Sequence, residues 1–327
     1  MSYSRHHIAF GPVPSRRLGN SLGINNVTTK TCSYACIYCQ VGSTTQKCID
    51  PQAFFSPAQI KDAVARRLRR LQKRGVEVDY LTFVADGEPT LDINLAESIS
   101  GLCDFGIPIA VISNSSLMWR EEVRTRLLKA DLVSIKVDSL EEPKWRRINR
   151  PDPKLDFEIV MDGIRAFAAD FQGTLISETM LLAGLNDSVE SLRTIAEFIG
   201  DIEPQTAYLA VPTRPAAIEG VSGADETMLT YAHELFSARL ANVELLAGHE
   251  PEDFIHTGKL RDDLLAITAV HPMREAAVRR FLTGDNADWS IVQNLISEGL
   301  LKTVEYEGER FYLRPVNHRV HCRRTEY

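Results

Sequence analysis

Three cysteines within the eight residues Cys32-Ser33-Tyr34-Ala35-Cys36-Ile37-Tyr38-Cys39 constrain this chain more than any other stretch. They follow a strand-like run at residues 21–28, so their loop leaves the end of a strand. Thiolates are soft ligands that suit iron–sulfur clusters and zinc. Three is an odd number for either common use. A structural zinc takes four closed ligands, and a simple electron-transfer cluster takes four cysteines. Three cysteines on a four-iron cluster would leave one iron open to another ligand. A zinc knuckle, or three unrelated core cysteines, competes with that reading here. Six cysteines in 327 residues, three of them clustered, do not make a disulfide framework; in a reducing compartment such clustering favours metal binding or catalysis.

Downstream, short β-rich runs alternate with amphipathic helices. Strands are expected at 80–85, 107–112, 132–137, 174–181 and 206–211. Between them lie helices at 56–74, 92–104, 120–129, 155–171 and 188–200. The first of these helices shows its start plainly, with Ser56 as cap, Pro57 at the first turn and Gln59 completing a capping box. Its Arg66, Arg67, Arg69, Arg70, Lys73 and Arg74 read as a solvated basic face, with nucleic-acid contact as the rarer alternative. Six strand–helix units between about residue 20 and residue 215 fall short of the ~250 residues of a closed eight-fold barrel. The expected fold is therefore α/β, an open six-stranded (β/α)6 partial barrel. In such folds the loops after the strands converge on the active site. The strand ends carry Asp86-Gly87-Glu88-Pro89, Ser113-Asn114, Asp138-Ser139 and, after the sixth strand, Arg214; Glu178 lies within the fifth strand and Lys136 near the end of the fourth.

C-x3-C-x2-C with Tyr38 just before the last cysteine resembles the signature of the radical S-adenosylmethionine (SAM) superfamily, and the later strand ends fit that family in order. The segments GPVPSRRLGNSLGINN, CSYACIYCQVG, DGEPTL and INRP resemble its wyosine-synthase-like branch. The resemblance implies a 4Fe-4S cluster on Cys32, Cys36 and Cys39, with SAM on the open iron. It implies reductive cleavage of SAM to a 5′-deoxyadenosyl radical that abstracts hydrogen from a substrate. Modification of an RNA base is the leading substrate reading, then a peptide or small molecule. An electron donor such as flavodoxin or ferredoxin is implied as partner. The cofactor-binding residues implied are Tyr38 on the adenine, Asp86, Gly87, Glu88 and Pro89 at the methionine ammonium, then Asn114, Lys136, Asp138 and Glu178. Asn114 is a candidate for bonding substrate or SAM. Lys136 is a candidate for the SAM carboxylate or a Schiff base, with plain pairing to Asp138 or Glu88 the simpler expectation. Lys136 and Arg214 are the candidate catalytic or substrate contacts. Trp145, Arg147 and Arg150 are read either as a substrate wall or as an ordinary surface helix stopped by Pro151.

Residues 1–20 are expected to be a polar, non-helical lead-in whose Arg16 and Arg17 face either an anionic substrate or solvent. The barrel unit would span 21–250, with a helix at 225–240 and a short strand at 243–246. Helices at 271–281 and 288–298, then a hairpin turning at Glu307-Gly308, suggest a winged-helix-like unit over 251–313, reached through a link at 251–263. Its second helix carries no Arg or Lys, which makes it a poor reader of a DNA groove. The tail, 314–327, is basic and holds Cys322; with Cys48 and Cys103 it is a weak candidate for a second cluster. A net charge of −7 argues against a surface that grips nucleic acid as a whole. No run approaches the roughly 18 apolar residues of a membrane span, and the polar start does not resemble a signal peptide. A cytoplasmic protein handled without oxygen is expected. The rival reading is a nucleic-acid-binding regulator whose cluster senses redox state or oxygen.

Overall fold

Each strand is a run of apolar or β-branched residues ending in polar ones, and each following helix buries one apolar stripe, so the chain can only stack strand beside strand with helices on the outer face. The structure, a computed structural model, describes residues 8–28, 30–248, 252–283 and 287–315. It opens with an antiparallel pair, β1 (Ala9–Ser15) and β2 (Gly19–Ile24). Two short strands flank the cysteine loop, β3 (Thr31–Cys32) and β4 (Gln46–Lys47). The repeating units follow: α1 (Pro57–Gln72), β5 (Tyr80–Phe83), α2 (Leu95–Leu102), β6 (Ile109–Ile112), α3 (Glu121–Leu127) and β7 (Leu132–Lys136). Then come α4 (Glu142–Asn149), α5 (Phe157–Asp170), β8 (Thr174–Met180), α6 (Val189–Asp201), β9 (Thr206–Ala210), α7 (Glu226–Ser237) and β10 (Val243–Leu246).

One sheet runs β1-β2-β5-β6-β7-β8-β9-β10, and every neighbour pair from β2 to β10 is parallel. This is an open α/β half-barrel. The six expected strands are all present, but two more flank them. β10 joins as a further parallel strand. β1 forms from the stretch read as lead-in. Its prolines misled because they sit on an edge strand with a register shift between Phe10 and Val13, where a missing amide hydrogen costs little.

The remaining elements are α8 (Leu260–Thr268), β11 (Met273–Arg274), α9 (Glu275–Thr283), α10 (Ser290–Ser297), β12 (Lys302–Tyr306) and β13 (Glu309–Leu313). The last two form the expected hairpin, and β11 adds to its far strand. α8 begins inside the stretch 251–263 that is expected as a link. Its Leu264, Leu265, Ala266 and Ile267 are all buried, so no helical period shows, and Lys259 before it makes no side-chain cap. These elements share an apolar cluster of their own, including Leu264, Ile267, Val278, Phe281 and Leu295, against which Val13 of β1 also packs.

The basic face of α1 is not wholly solvated. Arg67 turns inward and pairs with Asp263 of α8 at 2.5 Å, with both side chains buried. Its Nε donates to the Gly11 carbonyl of β1 at 2.7 Å. One guanidinium thus ties the outer helix, the sheet edge and the C-terminal unit together. Arg74 lies against His256 at 3.4 Å. Among the described residues no helix is long and apolar enough to cross a membrane.

Candidate active site

The strand ends open onto one cavity of about 340 Å³. Cys32, Cys36 and Cys39 line it together with Tyr38, Gly87, Glu88, Asn114, Lys136, Glu178 and Arg214. The cysteine loop is held from behind by the end of α4. Ala35 N donates to the Asn149 carbonyl at 3.0 Å and Ile37 N to the Ile148 carbonyl at 2.9 Å. Trp145 is 2% exposed. Its Nε1 donates to the Tyr34 hydroxyl at 3.0 Å, and the two rings meet edge to face. Trp145 is therefore a buttress of the cysteine loop and not a substrate wall. Arg147 and Arg150 are exposed and do not line the cavity.

Two side-chain amides reach the sulfurs. Asn114 Nδ2 approaches Cys32 Sγ at 3.4 Å and donates to Ser33 Oγ at 2.9 Å. Asn149 Nδ2 approaches Cys36 Sγ at 3.5 Å and donates to Asp138 at 2.6 Å. Asp138 also accepts from the Tyr38 hydroxyl at 2.5 Å and from Met180 N at 2.9 Å. With its carboxylate so occupied, Asp138 stands one layer behind the cavity surface, where it fixes Tyr38 and Asn149.

The second strand end is built around close approach. A Cβ on Gly87 would strike the Thr31 carbonyl, and Glu88 N donates to that same oxygen at 3.1 Å. Glu88 is 1% exposed. Its carboxylate accepts from Thr90 Oγ1 at 2.6 Å, Ser113 Oγ at 2.8 Å and Asn114 N at 2.7 Å. Burial pushes its proton affinity up and these donors work against it. Asp86, 4% exposed, faces away from the cavity and pairs with Lys30 at 2.7 Å. Burial outweighs that lysine and holds the Asp86 carboxyl up to about 6. Lys30 itself sits at φ +59, a conformation rare for a lysine. Pro89 is buried in the short turn Pro89–Leu91 that Glu88 caps, again behind the wall.

Lys136 pairs with neither Asp138 nor Glu88. Its Nζ lies 2.5 Å from Glu178 Oε1, and Arg17 takes the other oxygen of the same carboxylate. The reason is register: Lys136 and Glu178 are direct partners across β7 and β8, where cross-strand opposite charges attract. Burial works to raise the Glu178 carboxyl, but Lys136 and Arg17 outweigh it and bring it down to about 2. The Lys136 ammonium lies 5.1 Å from the Tyr38 ring centre. Arg16 instead donates to the Ala247 carbonyl at 3.2 Å. Arg214, after β9, donates to Gln40 at 2.7 Å and is 9% exposed. Sequence reasoning missed Lys30, Asn149 and His271. Lys30, two residues before Cys32, bears on Cys39 by its charge, Asn149 reaches Cys36 from the end of α4, and His271 lines the cavity from the C-terminal unit.

The donor set fits an iron–sulfur cluster. All three thiols are free and share one cavity wall. Burial pushes each one up, Cys36 to about 12, and Asp138 adds to that effect. Bare thiols here keep their protons, whereas a cationic metal centre would release them. Among the described residues no three His, Cys, Asp or Glu side chains converge tightly enough for a single ion. Three thiols are one short of the closed four-ligand set of a structural zinc, and on a four-iron cluster they would leave one iron open. Cys48 and Cys103 each donate to a nearby backbone carbonyl, at Asp50 and Ile99. Cys322 lies outside the described residues, as do Arg319, Arg323 and Arg324 of the basic tail.

A half-barrel whose first strand-end loop carries three cysteines, and whose next carries a buried glycine–glutamate turn, defines an iron–sulfur enzyme class. The sequence model described as the radical SAM superfamily matches residues 26–199. A UPF0026 protein of Methanocaldococcus jannaschii is 44% identical over 314 residues, covering 95% of this chain and 97% of that one. The chain belongs to the radical SAM superfamily and to the UPF0026 proteins. A Brachyspira hyodysenteriae protein named GTPase Obg is 35% identical over 230 residues, covering 70% of this chain but 33% of that one. The solved structure of TYW1 with a lysine–pyruvate adduct bound has a TM-score of 0.52 at 15% identity, covering 67% of this chain and 74% of that one, a likeness of fold. Membership implies SAM and a 4Fe-4S cluster as cofactors.

Proposed function

We propose that this protein is a radical SAM enzyme in which Cys32, Cys36 and Cys39 hold a 4Fe-4S cluster and the neighbouring strand ends hold SAM. The observation that carries the reading is that the three thiols, Gly87, Glu88 and Lys136 face one cavity. When bound, the cluster and SAM supply an electron and a 5′-deoxyadenosyl radical that takes hydrogen from the substrate. This chain's residues bind, orient and exclude water. Gly87 and Glu88 offer backbone and carboxylate to the methionine ammonium. Asn114 and Asn149 direct amide hydrogens at two of the sulfurs. Lys136 and Arg17 hold Glu178 ionised, so the triad presents one net positive charge for a carboxylate such as that of SAM. Tyr38, pinned by Asp138, gives an aromatic face for adenine.

Within this chemistry the motif resemblance to the wyosine-synthase-like branch favours an RNA base as substrate, with a peptide or small molecule next. We read α8 to β13 as a winged-helix-like unit, with the barrel over 21–250. Its α10 bears no basic residue, so contact with nucleic acid would not run through that helix. A flavodoxin or ferredoxin is the electron donor we infer. A redox-sensing regulator would account for the cysteines, but not for an acid and a glycine built onto the same cavity.

The test is anaerobic. The protein is reconstituted with iron and sulfide, given SAM and a strong reductant, and assayed for 5′-deoxyadenosine. Formation by the native protein, with loss of both iron absorption and product in Cys36→Ala, is the expected outcome. A Cys36→Ala protein with full iron content, or a cluster-loaded protein that fails to bind SAM, would overturn the assignment.

A further inference from the structure

The INRP segment, whose Asn149 backs Cys36, has an outer side that the chemistry of the cavity does not use. Residues 148–152 lie one backbone hydrogen bond from the cysteine loop. Ala35 N donates to the Asn149 carbonyl at 3.0 Å and to the Arg150 carbonyl at 3.2 Å, and Asp152 N donates to the Ser33 carbonyl at 2.9 Å. Asn149 Nδ2 stands 3.5 Å from Cys36 Sγ. Trp145, Ile148 and Asn149 form the buried side of α4. Arg147 and Arg150, three positions apart and so neighbours at the helix end, are both exposed. Lys47, also exposed, joins them from β4, where its Nζ donates to the Pro151 carbonyl at 3.3 Å.

Other cations of α4 are already paired, Lys144 with Glu141 and Arg146 with Glu142. Among the described residues the guanidinium groups of Arg147 and Arg150 make no hydrogen bond and no ion pair. Over 142–154 the basic residues Lys144, Arg146, Arg147, Arg150 and Lys154 stand against the acids Glu142 and Asp152, in a chain whose net charge is −7. A local positive patch on an acidic protein draws an anionic partner to one place. The backbone adds a second observation. Arg150 ends α4 in the left-handed conformation, at φ +44 and ψ +60, where glycine is the usual residue. That turn lets two successive carbonyls meet Ala35 N. An arginine is held there, with its charge in solvent, and backbone strain of this kind gathers at functional sites.

We propose that Lys47, Arg147 and Arg150 form the docking face for a small acidic one-electron carrier protein, which reduces the cluster through the end of α4. The proposal rests on the radical SAM reading for the cluster itself, and it gives the inferred electron donor a place on the surface. One electron moves: the carrier loses it, the cluster gains it, and no bond forms or breaks. Electron transfer weakens steeply with distance, so a carrier has to meet the protein where cover over the cluster is thin, and here one helix turn intervenes. RNA is also drawn to positive charge, but this face does not suit it. Arg147 and Arg150 do not line the cavity in which a base would react. Trp145, the aromatic residue of α4, is 2% exposed and offers no stacking surface.

The test is anaerobic and uses a reduced acidic flavodoxin as probe. Its affinity for the reconstituted protein is measured by calorimetry, and the rate of cluster reduction by the bleaching of iron absorption on mixing. In the double variant Arg147→Glu with Arg150→Glu both should fall about tenfold or more, since charges at an interface rim act mainly on encounter. The native rate should drop as salt is added, and Lys47→Gln should lose less than the double variant. Iron content, and reduction by the small carrier methyl viologen, should stay at native levels. Arg150→Gly relieves the backbone and removes only the charge; it should bind flavodoxin more weakly in a fold at least as stable. Arg66→Glu with Arg69→Glu, on the exposed side of α1, changes net charge equally and should leave both quantities near native. Affinity and rate indifferent to the Arg147 and Arg150 variants, or lowered equally by the α1 pair, overturn the face. Transfer RNA whose binding is lost in the double variant while flavodoxin binding is kept would assign the face to nucleic acid and overturn it too. If SAM is never cleaved but flavodoxin binding still depends on Arg147 and Arg150, the radical reading falls and the docking face stands. If flavodoxin supports 5′-deoxyadenosine formation equally in native and double-variant protein, the face falls and the reading stands.

Discussion

The cysteine wall of the cavity and the wall contributed by the C-terminal unit are held by different forces. The cysteine loop is fixed by backbone bonds to the end of α4, the Trp145–Tyr34 pair and amides from Asn114 and Asn149, with one carboxylate, Asp138, behind Tyr38. The C-terminal unit is fixed to the barrel by the buried ion pair Arg67–Asp263, with Arg274 on the Thr213 carbonyl and Tyr306 on the Pro212 carbonyl, and is tied within itself by Arg274–Glu252 and Arg280–Glu252. The difference has a physical sense. At the sulfurs themselves the direct contacts are neutral amides, which stabilise thiolates without adding a counter-ion. A docked unit lacks that restriction, and ion pairs give it geometry.

The comparison breaks most sharply at Asp263. Asp263→Ala leaves Arg67 buried without its carboxylate, and a loss of about 3–5 kcal/mol of stability is expected in urea unfolding. The double variant Arg67→Met with Asp263→Leu should recover most of it. If the single variant costs less than ~1 kcal/mol, the weld is not what holds the unit. On the neutral side, Asn149→Leu removes donors from Cys36 and from buried Asp138. A loss of about 1–3 kcal/mol follows, with the midpoint potential of the reconstituted cluster moving to a more negative value because a hydrogen bond to sulfur is gone. An unmoved potential would show that the amide serves the fold alone.

Smaller effects sharpen the contrast. Glu178 has a folded proton affinity far below that of an unfolded glutamate, near 4.3. Its contribution to stability is therefore full above that value and lost as pH falls toward about 2. Glu178→Gln should flatten this part of an acid titration, and an unchanged acid limb would contradict the triad. Smallest of all is Arg280→Gln. Its guanidinium is 52% exposed, and a change within about 1 kcal/mol is expected, shrinking with added salt.

What the sequence disclosed follows from distance along the chain. The cysteine spacing, the Gly87-Glu88 turn and the alternation of strand and helix are local patterns, and each foretells an element near where it is found. Lys136 could be placed at a strand end, but not its partner, because Glu178 is 42 residues away and meets it only through the register of β7 with β8. Asn149 lies 113 residues from the sulfur it serves. β1 and α8 escaped for opposite reasons: prolines on an edge strand hid the first, and uniform burial erased the helical period of the second. His271 had no signal at all, since a lone histidine after an apolar helix is ordinarily core.

The inward turn of Arg67 also bears on what counts as the smallest working piece of this molecule. A chain ending before residue 252 would keep Cys32, Cys36 and Cys39 and every strand of the eight-stranded sheet. It would nonetheless lose Asp263, uncover a guanidinium built for a dry setting, and leave one side of the cavity open to solvent. The function proposed above puts the reacting groups in that cavity, so the missing side would expose them to solvent. The C-terminal unit is better regarded as the last stave of the barrel than as cargo attached to it.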